Sequence, residues 1–512
     1  RNTYLVYKAP ICTIDAFCID FLRQWGHLVD LDPDFRLCDQ AESEELCQQA
    51  LQEVLETRYA NIAHDPAFES LVDALAGERD DQTLEDVILD MHRRVQAQAD
   101  PGHWLLERRA DFDLPEGMTP EDTIWGRVLL QDSRDLAAHW RTELEKLRMD
   151  VSFDELIERN YGPSLDATLS DLDRLAEALE SGWDCAAACA KVSFPRVGTK
   201  RGECDEALKE RVKSERERCK KQLAELEDRF QVTAAEAMED LRAIGPSMVA
   251  LLEVTKEFDD AFVARKRRRR LIDFADAEHL AARLLADERG KPTPLALEVG
   301  QTFVEIMVDE YQDTNAVQNT IFNALSNGNN LFFVGDVKQS IYRFRLADPT
   351  IFLEKYDRFE EGGSACDGEP RLRLLSKNFR SRPEVLEGCN DLFRAIMSNR
   401  LGELEYTQEH ALVPGASFPE GDNYALELDI LDLDRENVEE EPDSTNKPGR
   451  DLLEARFAAC RIREMLDQPF MISDGDKLRP VRPSDIMVLL RSPGSVLHQY
   501  IRAFGEQGIA WT

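Results

Sequence analysis

The chain has 512 residues, of which 63 are Lys or Arg and 100 are Asp or Glu, giving a formal net charge of −37. At roughly 150 residues per domain this length holds about three domains with ample buried core, and 43% hydrophobic with 32% charged residues exclude a disordered or fibrous chain. No run approaches the ~18–20 consecutive apolar residues of a membrane span and Arg1-Asn2-Thr3-Tyr4 does not open a signal peptide, so a cytoplasmic protein without a membrane partner is expected. Taken as a sum, the acidic balance argues against a nucleic-acid partner, because bulk negative charge repels phosphates.

From Ala41 to about Ala99 apolar residues recur three and four apart: Leu46, Ala50 and Val54, then Leu84, Val87, Ile88, Met91 and Val95. That is the period of an amphipathic helix, and Pro101-Gly102 punctuates it. Helical character then continues to roughly residue 260. Within it, Leu208, Val212, Cys219, Leu223 and Leu226 form a narrow apolar stripe in a charge-rich stretch from Glu203 to Phe230, which predicts a long, mostly solvated helix. The region reads as a helical domain. The eleven cysteines are scattered with no C-x2-C pair, and Cys185 and Cys189 could at most share a helix face, so reduced thiols are expected and not a metal site.

Near residue 300 the texture changes. Phe303–Val308 and Leu331–Val334 are short apolar runs rich in β-branched and aromatic residues, with helix-like patterns between and after them, as in an α/β sheet. Leu372–Leu375, Leu426–Leu431 and Ile486–Leu490 are further candidate strands. The acidic, Pro-containing stretch Asp432–Arg450, with Glu439, Glu440, Glu441 and Asp443, reads as an exposed loop or linker.

Three segments that follow candidate strands carry chemistry. The first is V-D-E-Y-Q-D-T-N, Val308 to Asn315. Carboxylates at the C-terminal end of a buried strand stand where open α/β sheets bind ligands; one can hold Mg²⁺ while its neighbour orients or deprotonates a water. The second is V-G-D-V-K-Q-S-I-Y-R-F-R, Val334 to Arg345. Its Gln339 amide could sense a phosphate, and Tyr342 and Phe344, interleaved with Lys338, Arg343 and Arg345, have the composition of a single-strand stacking platform. The third is S-K-N-F-R-S-R-P, Ser376 to Pro383, inside a run from Arg371 to Arg382 that has five basic residues and no acid. Each segment also has a plain structural account: a solvated acidic turn, two core aromatics, a basic surface turn.

In this order, D-E-Y-Q-D, G-D-x-x-Q-S-I-Y-x-F-R and N-F-R-S-R-P resemble motifs II, III and IV of superfamily 1 DNA helicases of the UvrD/RecB type. T-I-D-A-F-C, Thr13 to Cys18, is similar to a DNA-contacting motif of that family, with Asp15 in place of the commoner histidine. Within the family, D-P-D-F-R-L-C-D (Asp32 to Asp39), the basic run Arg265–Arg270 leading into L-I-D-F-A-D-A-E-H-L (Leu271 to Leu280), and Y-T-Q-E-H-A-L-V-P-G-A (Tyr406 to Ala416) look like the AddA-type helicase-nuclease subunits. For the basic run a solvated helix end and a phosphate contact both remain open.

The resemblance implies RecA-like P-loop NTPase motor domains with a parallel sheet, a large all-helical insertion, and ATP with Mg²⁺ as cofactors. It assigns Asp309 to the metal, Glu310 to activation of the attacking water, Gln339 to coupling of the γ-phosphate to DNA, Arg380 to an arginine finger and Phe379 to stacking on adenine. Thr13, Phe17, Tyr342, Phe344 and Arg345 would line the single-strand track. It further implies an ATP-dependent 3′→5′ helicase acting in double-strand break repair by homologous recombination, with exonuclease activity in the full-length protein. Its partners would be single- and double-stranded DNA and an AddB-like protein in a heterodimer. A repair helicase without nuclease, RecB-like or UvrD-like, and a non-catalytic DNA- or partner-binding scaffold are the competing readings.

A G-x-x-x-x-G-K-[ST] phosphate loop is missing from the 512 residues; Gly290-Lys291-Pro292-Thr293 is the nearest string and lacks the first glycine. An internal fragment is therefore expected, inactive in ATP turnover by itself. Its parts would be residues 1–30 of a first motor domain, a helical insertion at 31–260, the rest of that domain with motifs II and III at 261–370, and the first part of a second motor domain with motif IV at 371–512. The basic islands Lys338–Arg345 and Arg371–Arg382 contain no acid, so local charge reverses what the total suggests.

Overall fold

The computed structural model describes residues 9–76, 81–200, 202–362, 366, 368–399, 401–419, 424–431, 449–468, 470–474 and 477–512. Arg1–Tyr4, and all of the acidic stretch Asp432–Arg450 except its last two residues, lie outside the described residues. The chain divides into two units, residues 1–335 with 341–351, and residues 336–340 with 352–512.

The first unit opens with helix α1 (Ile14–Trp25), then strand β1 (Arg36–Leu37). Strand β1 pairs in parallel with β2 (Leu271–Ile272), far along the chain. Among the described residues all that lies between is helical or loop: α2 (Gln40–Ala60), α3 (Pro66–Leu75), α4 (Gln82–Gln96), α5 (Pro101–Ala110), α6 (Ile124–Val151), α7 (Glu155–Ser181), α8 (Trp183–Cys189), α9 (Glu206–Arg229) and α10 (Ala234–Arg268). The sequence writes most of their beginnings. Asp39, Asp65, Asp100, Thr123, Asp154, Asp205 and Thr233 each accept a first-turn backbone N–H through the side chain, which satisfies a donor that has no partner inside the helix. Pro101 thus both follows α4 and starts α5.

Two cores hold these helices. One gathers Trp140, Leu144, Leu165, Leu172, Val212 and Leu223 between α6, α7 and α9. The other gathers Leu46, Val54, Phe68, Leu84, Ile88, Leu251 and Phe258 between α2, α3, α4 and α10. The stripe expected on the charge-rich helix is the buried face of α9, with Val212, Cys219, Leu223 and Leu226 inside.

The basic run at the end of α10 is mostly consumed by ion pairs. Arg265 meets Glu53, Arg269 meets Glu45 and Arg270 meets Asp32. Lys266 is only 3% exposed, with Nζ 2.6 Å from both Asp273 and Asp276 and 4.1 Å from the centre of the Phe262 ring. These contacts favour a structural helix end over a phosphate-binding one at four of six positions.

After β2 come α11 (Phe274–Leu285), α12 (Pro294–Gly300), β3 (Ile306–Val308), α13 (Ala316–Leu325) and β4 (Leu331–Phe333). Strands β3 and β4 are parallel, with Ile306 opposite Leu331 and Val308 opposite Phe333. A third core joins α1, α11 and α13 through Cys18, Leu22, Ala281, Leu285, Val317 and Ile321. This is an α/β arrangement, since parallel strands need helical crossovers.

Helix α14 (Thr350–Arg358) runs across the boundary between residues 351 and 352, and in the second unit it is followed by β5 (Glu360–Glu361), β6 (Arg371–Leu372), β7 (Lys377–Asn378), α15 (Pro383–Ile396) and β8 (Val413–Pro414). Strand β5 pairs with β6 and β7 with β8, both in parallel. Helix α16 (Arg450–Asp467), the antiparallel hairpin β9 (Met471–Asp474) and β10 (Lys477–Pro480), and α17 (Pro493–Glu506) complete it. Ala455, Ala459, Tyr500 and Ala503 form the small core between α16 and α17.

Two expected strands are not strands. Leu426–Leu431 and Ile486–Leu490 have no ladder among the described residues, and Leu428, Ile430, Met487 and Leu489 are exposed. Alternating apolar residues suit a pleated surface, but a strand also needs a second backbone to receive its N–H and C=O groups. Likewise Leu372–Leu375 is ladder only at Arg371–Leu372. Among the described residues no helix is long and apolar enough to cross a membrane.

Candidate functional site

In the first unit the pairing of β3 with β4 continues past the strand ends. Val334 N donates to Val308 O at 2.9 Å, and Tyr311 N donates to Val334 O at 2.9 Å. Asp309 and Glu310 therefore emerge, exposed, at the C-terminal end of a parallel strand. Glu310 adopts left-handed backbone angles, φ 49° and ψ 41°. For a residue with a Cβ that conformation costs on the order of 1–3 kcal/mol, and such strain concentrates at working sites.

The left-handed step turns the next two side chains inward. Tyr311 is fully buried, its ring stacked on Phe333 at 4.0 Å and its hydroxyl donating to Asn319 Oδ1 at 2.6 Å. Gln312 is 1% exposed and its Nε2 donates to Glu310 Oε2 at 2.7 Å. Asp309 Oδ1 accepts from the Glu310 N–H at 3.0 Å. Asp313 holds a buried Oδ1 with no hydrogen-bond partner among the described residues, and burial together with the nearby Glu310 charge pushes its carboxyl up. Gln312 and Asp313 belong to the D-E-Y-Q-D motif, but neither has a role of its own that the sequence alone assigns.

Gly335, at the exit of β4, faces this turn. A Cβ there would lie 2.5 Å from Gln312 Oε1 and 3.2 Å from the backbone nitrogens of Tyr311 and Gln312. Only glycine lets the two strand exits approach this closely.

A few residues further on, the turn Arg343–Arg345 ends in a left-handed Leu346 at φ 66°. Arg345 lies over both aromatics, its guanidinium carbon 5.1 Å from the Tyr342 ring centre and 5.7 Å from that of Phe344. Phe344 is 74% exposed. The two aromatics are therefore surface groups and not core. Thr13 caps α1 by accepting from Ala16 N at 3.3 Å. Phe17, half-buried, packs against Phe21 and Phe303 with ring centres 6.0 and 6.3 Å away. Asp15 is half-buried against Glu278, with which it hydrogen-bonds, and burial pushes both carboxyls up. Glu278 also accepts from Gln318 Nε2 at 2.7 Å and Asn315 Nδ2 at 3.3 Å.

Gly290-Lys291-Pro292-Thr293 cannot serve as a phosphate cradle. Gly290 N donates to Asp287 O, Lys291 N to the Asp287 carboxylate and Thr293 N to Leu285 O, so the backbone donors are spent on the turn itself.

The second unit holds the other assigned residues. Gln339 Nε2 donates to Asp336 Oδ2 at 3.1 Å, and Lys338 pairs with the same carboxylate at 2.8 Å. In N-F-R-S-R-P, Asn378 Oδ1 accepts from the N–H groups of Arg380 and Ser381, at 2.9 Å each, and fixes the turn. Phe379 is 67% exposed, and its ring edge lies so close to Gly415 that a Cβ there would sit 2.9 Å from it. The Arg380 guanidinium is exposed and has no partner among the described residues. Arg382 is the opposite case: its guanidinium stacks 3.8 Å from the centre of the Tyr424 ring and donates to Pro419 O at 3.0 Å.

Comparison with known proteins gives the family. The sequence model of the UvrD/REP helicase N-terminal domain matches residues 2–360. An ATP-dependent helicase/nuclease subunit of Geobacillus thermodenitrificans (strain NG80-2) is 36% identical over 529 residues, covering 99% of this chain and 42% of the relative. Its namesake in Bacillus mycoides (strain KBAB4) is 35% identical over 510 residues, covering 96% of this chain and 40% of the relative. The corresponding helicase/nuclease protein of Geobacillus kaustophilus (strain HTA426) is 36% identical over 528 residues, with 99% and 42% covered. The chain thus spans about two fifths of the length of the curated relatives it matches. Its acidic turn after a parallel strand, its motif order and these matches place the chain in the UvrD/REP helicase family.

Proposed function

We propose that the chain is part of an ATP-driven 3′→5′ DNA translocase, the motor of a helicase-nuclease that processes double-strand breaks for homologous recombination. The observation that carries this reading is the turn after β3, where Asp309 and Glu310 stand exposed at a strand end while Tyr311 and Gln312 anchor the turn from inside. A scaffold that only binds DNA has no use for a carboxylate pair held at the expense of a left-handed glutamate.

In this reading residues 1–30 and 261–370 belong to one RecA-like motor domain, 31–260 to a helical insertion within it, and 371–512 to the start of a second. The donor set fits Mg²⁺ with ATP: Asp309 offers a hard carboxylate oxygen, and Mg²⁺ is held by one or two carboxylates together with waters and substrate phosphates. When bound, the metal neutralises charge on the phosphates. Glu310 orients and deprotonates the attacking water. Phe379, with an exposed ring, is suited to stacking on adenine, Arg380 carries an uncommitted charge for the transferring phosphoryl group, and Gln339 reports phosphate occupancy. Tyr342, Phe344 and Arg345 form the stacking surface for single-stranded DNA, with Thr13 and Phe17 on α1 contributing to the track. An AddB-like partner, duplex DNA as substrate and a cytoplasmic location complete the proposal, in keeping with the helicase/nuclease names of the relatives.

The test is DNA-dependent ATP turnover by the protein with the sequence that flanks these residues in its gene. Single-stranded DNA should raise turnover, and Glu310→Gln should lower kcat by ~10²–10⁴-fold while sparing ATP binding, the range for loss of a general base. Undiminished turnover in Glu310→Gln would overturn the assignment.

A further inference from the structure

We propose that Gln312 is a positioning residue that holds the Glu310 carboxylate in its working orientation, and that Gly335 is the backbone wall that keeps Gln312 there. The proposal rests on the hydrolytic reading of Glu310 and extends it to two residues with no role so far.

Glu310 lies exposed on a turn, where a side chain with three rotatable bonds samples many rotamers. One of its two oxygens is fixed nevertheless, by the 2.7 Å bond from Gln312 Nε2 to Oε2. The donor is itself fixed, because Gln312 is 1% exposed and has no room to change rotamer. Its carboxamide cannot turn over without setting Oε1 against the Glu310 carboxylate, two acceptors face to face. The far side of the carboxamide meets Gly335, where an added methyl carbon would approach Oε1 to 2.5 Å. The chain Gly335–Gln312–Glu310 thus runs from the exit of β4 to the proposed base, and leaves Oε1 of Glu310 for a water. Gln312 places the donor that meets the Glu310 carboxylate at Oε2, and a thioether of similar length in its place has no N–H to offer. An error of about 1 Å in the placement of a reacting group can cost ~10²-fold in rate.

The experiment compares Gln312→Met, Gly335→Ala and Glu310→Gln in the protein with its natural flanking sequence. Melting temperature, ATP KM and single-turnover hydrolysis with single-stranded DNA are measured for each. At a temperature well below its own melting temperature, Gln312→Met should keep its KM and lose ~10–100-fold in the hydrolysis rate, and Gly335→Ala should lose rate in the same way by displacing the carboxamide. Because Gln312 acts through Glu310, adding Gln312→Met to Glu310→Gln should cause no further loss. A rate within twofold of wild type in Gln312→Met, or losses that multiply fully in the double variant, overturns the positioning role while the hydrolytic reading stands on the Glu310→Gln result. Absence of DNA-dependent turnover in the wild type overturns both.

Discussion

Arg380 and Arg382 stand two residues apart in one acid-free run, and the structure gives them different surroundings. The Arg382 guanidinium is fastened to Tyr424 and Pro419 and lies 3.5 Å from the Glu384 carboxylate, so its charge is engaged inside the second unit. Arg380 is fixed only through its backbone, by the Asn378 side chain, so its guanidinium is free to meet an anion. Arg382→Ala should cost roughly 1–3 kcal/mol, the sum of a partly desolvated cation–π contact and a hydrogen bond, and should appear as a lower melting temperature. Arg380→Ala should leave the melting temperature unchanged and lower ATP turnover by ~10³-fold or more, as loss of an arginine finger does. A stability loss in Arg380→Ala with turnover intact would reverse the two assignments. The distinction was not legible in the sequence, because both residues are arginines in the same run and it is the contacts with Phe418, Pro419 and Tyr424, distant in sequence, that tell them apart.

Glu278 ties three elements together: α11, which carries it, α1 through Asp15, and α13 through Asn315 and Gln318. Two carboxyl groups share this half-dry space, and burial raises both above the ordinary carboxylate range. The sign follows from linkage: the folded state retains protons that the unfolded chain has released, so stability is greatest below the ordinary carboxylate pKa and declines as pH rises towards the folded values. Glu278→Gln keeps the shape and accepts from Gln318 as before, yet cannot ionise. It should raise the melting temperature at about pH 8 and leave that at about pH 4 near wild type; a variant less stable than wild type at pH 8 would show that the charged pair holds the elements together. Helices were the most legible elements, because apolar period and N-cap residues are both local: Asp39, Asp100 and Thr233 mark their starts in plain sequence. Strands were legible only where a neighbour exists, so β3 and β4 appear inside the expected runs, shorter than them, while Leu426–Leu431 and Ile486–Leu490 form none among the described residues. The D-E pair was readable from its place after a strand. The Gln312 hold on Glu310 was not, because it depends on a left-handed turn and on close approach of Gly335, neither of which leaves a mark on composition.

Over the whole molecule, a net charge of −37 coexists with an exposed cationic-aromatic cluster at Tyr342–Arg345 that contains no acid. Bulk repulsion and local attraction both weaken with salt, but they reach different distances, since the Debye length is only about 8 Å at physiological ionic strength. The distant acids are therefore screened from a bound strand while Arg345 is not. This separates what the arginine and the phenylalanine contribute. Neutralising a phosphate releases a counterion, so each contact on single-stranded DNA adds about 0.7 to the steepness of log K against log salt. Stacking adds ~1–3 kcal/mol per base with no counterion. Arg345→Ala should flatten the salt dependence of oligothymidylate binding by about 0.7, measured by fluorescence anisotropy at several salt concentrations. Phe344→Ala should weaken binding by ~1–3 kcal/mol and leave the slope as it was. An unchanged affinity in Phe344→Ala would mean that the exposed ring does not meet a base, and an unchanged slope in Arg345→Ala that its guanidinium serves the two rings beneath it and not a phosphate.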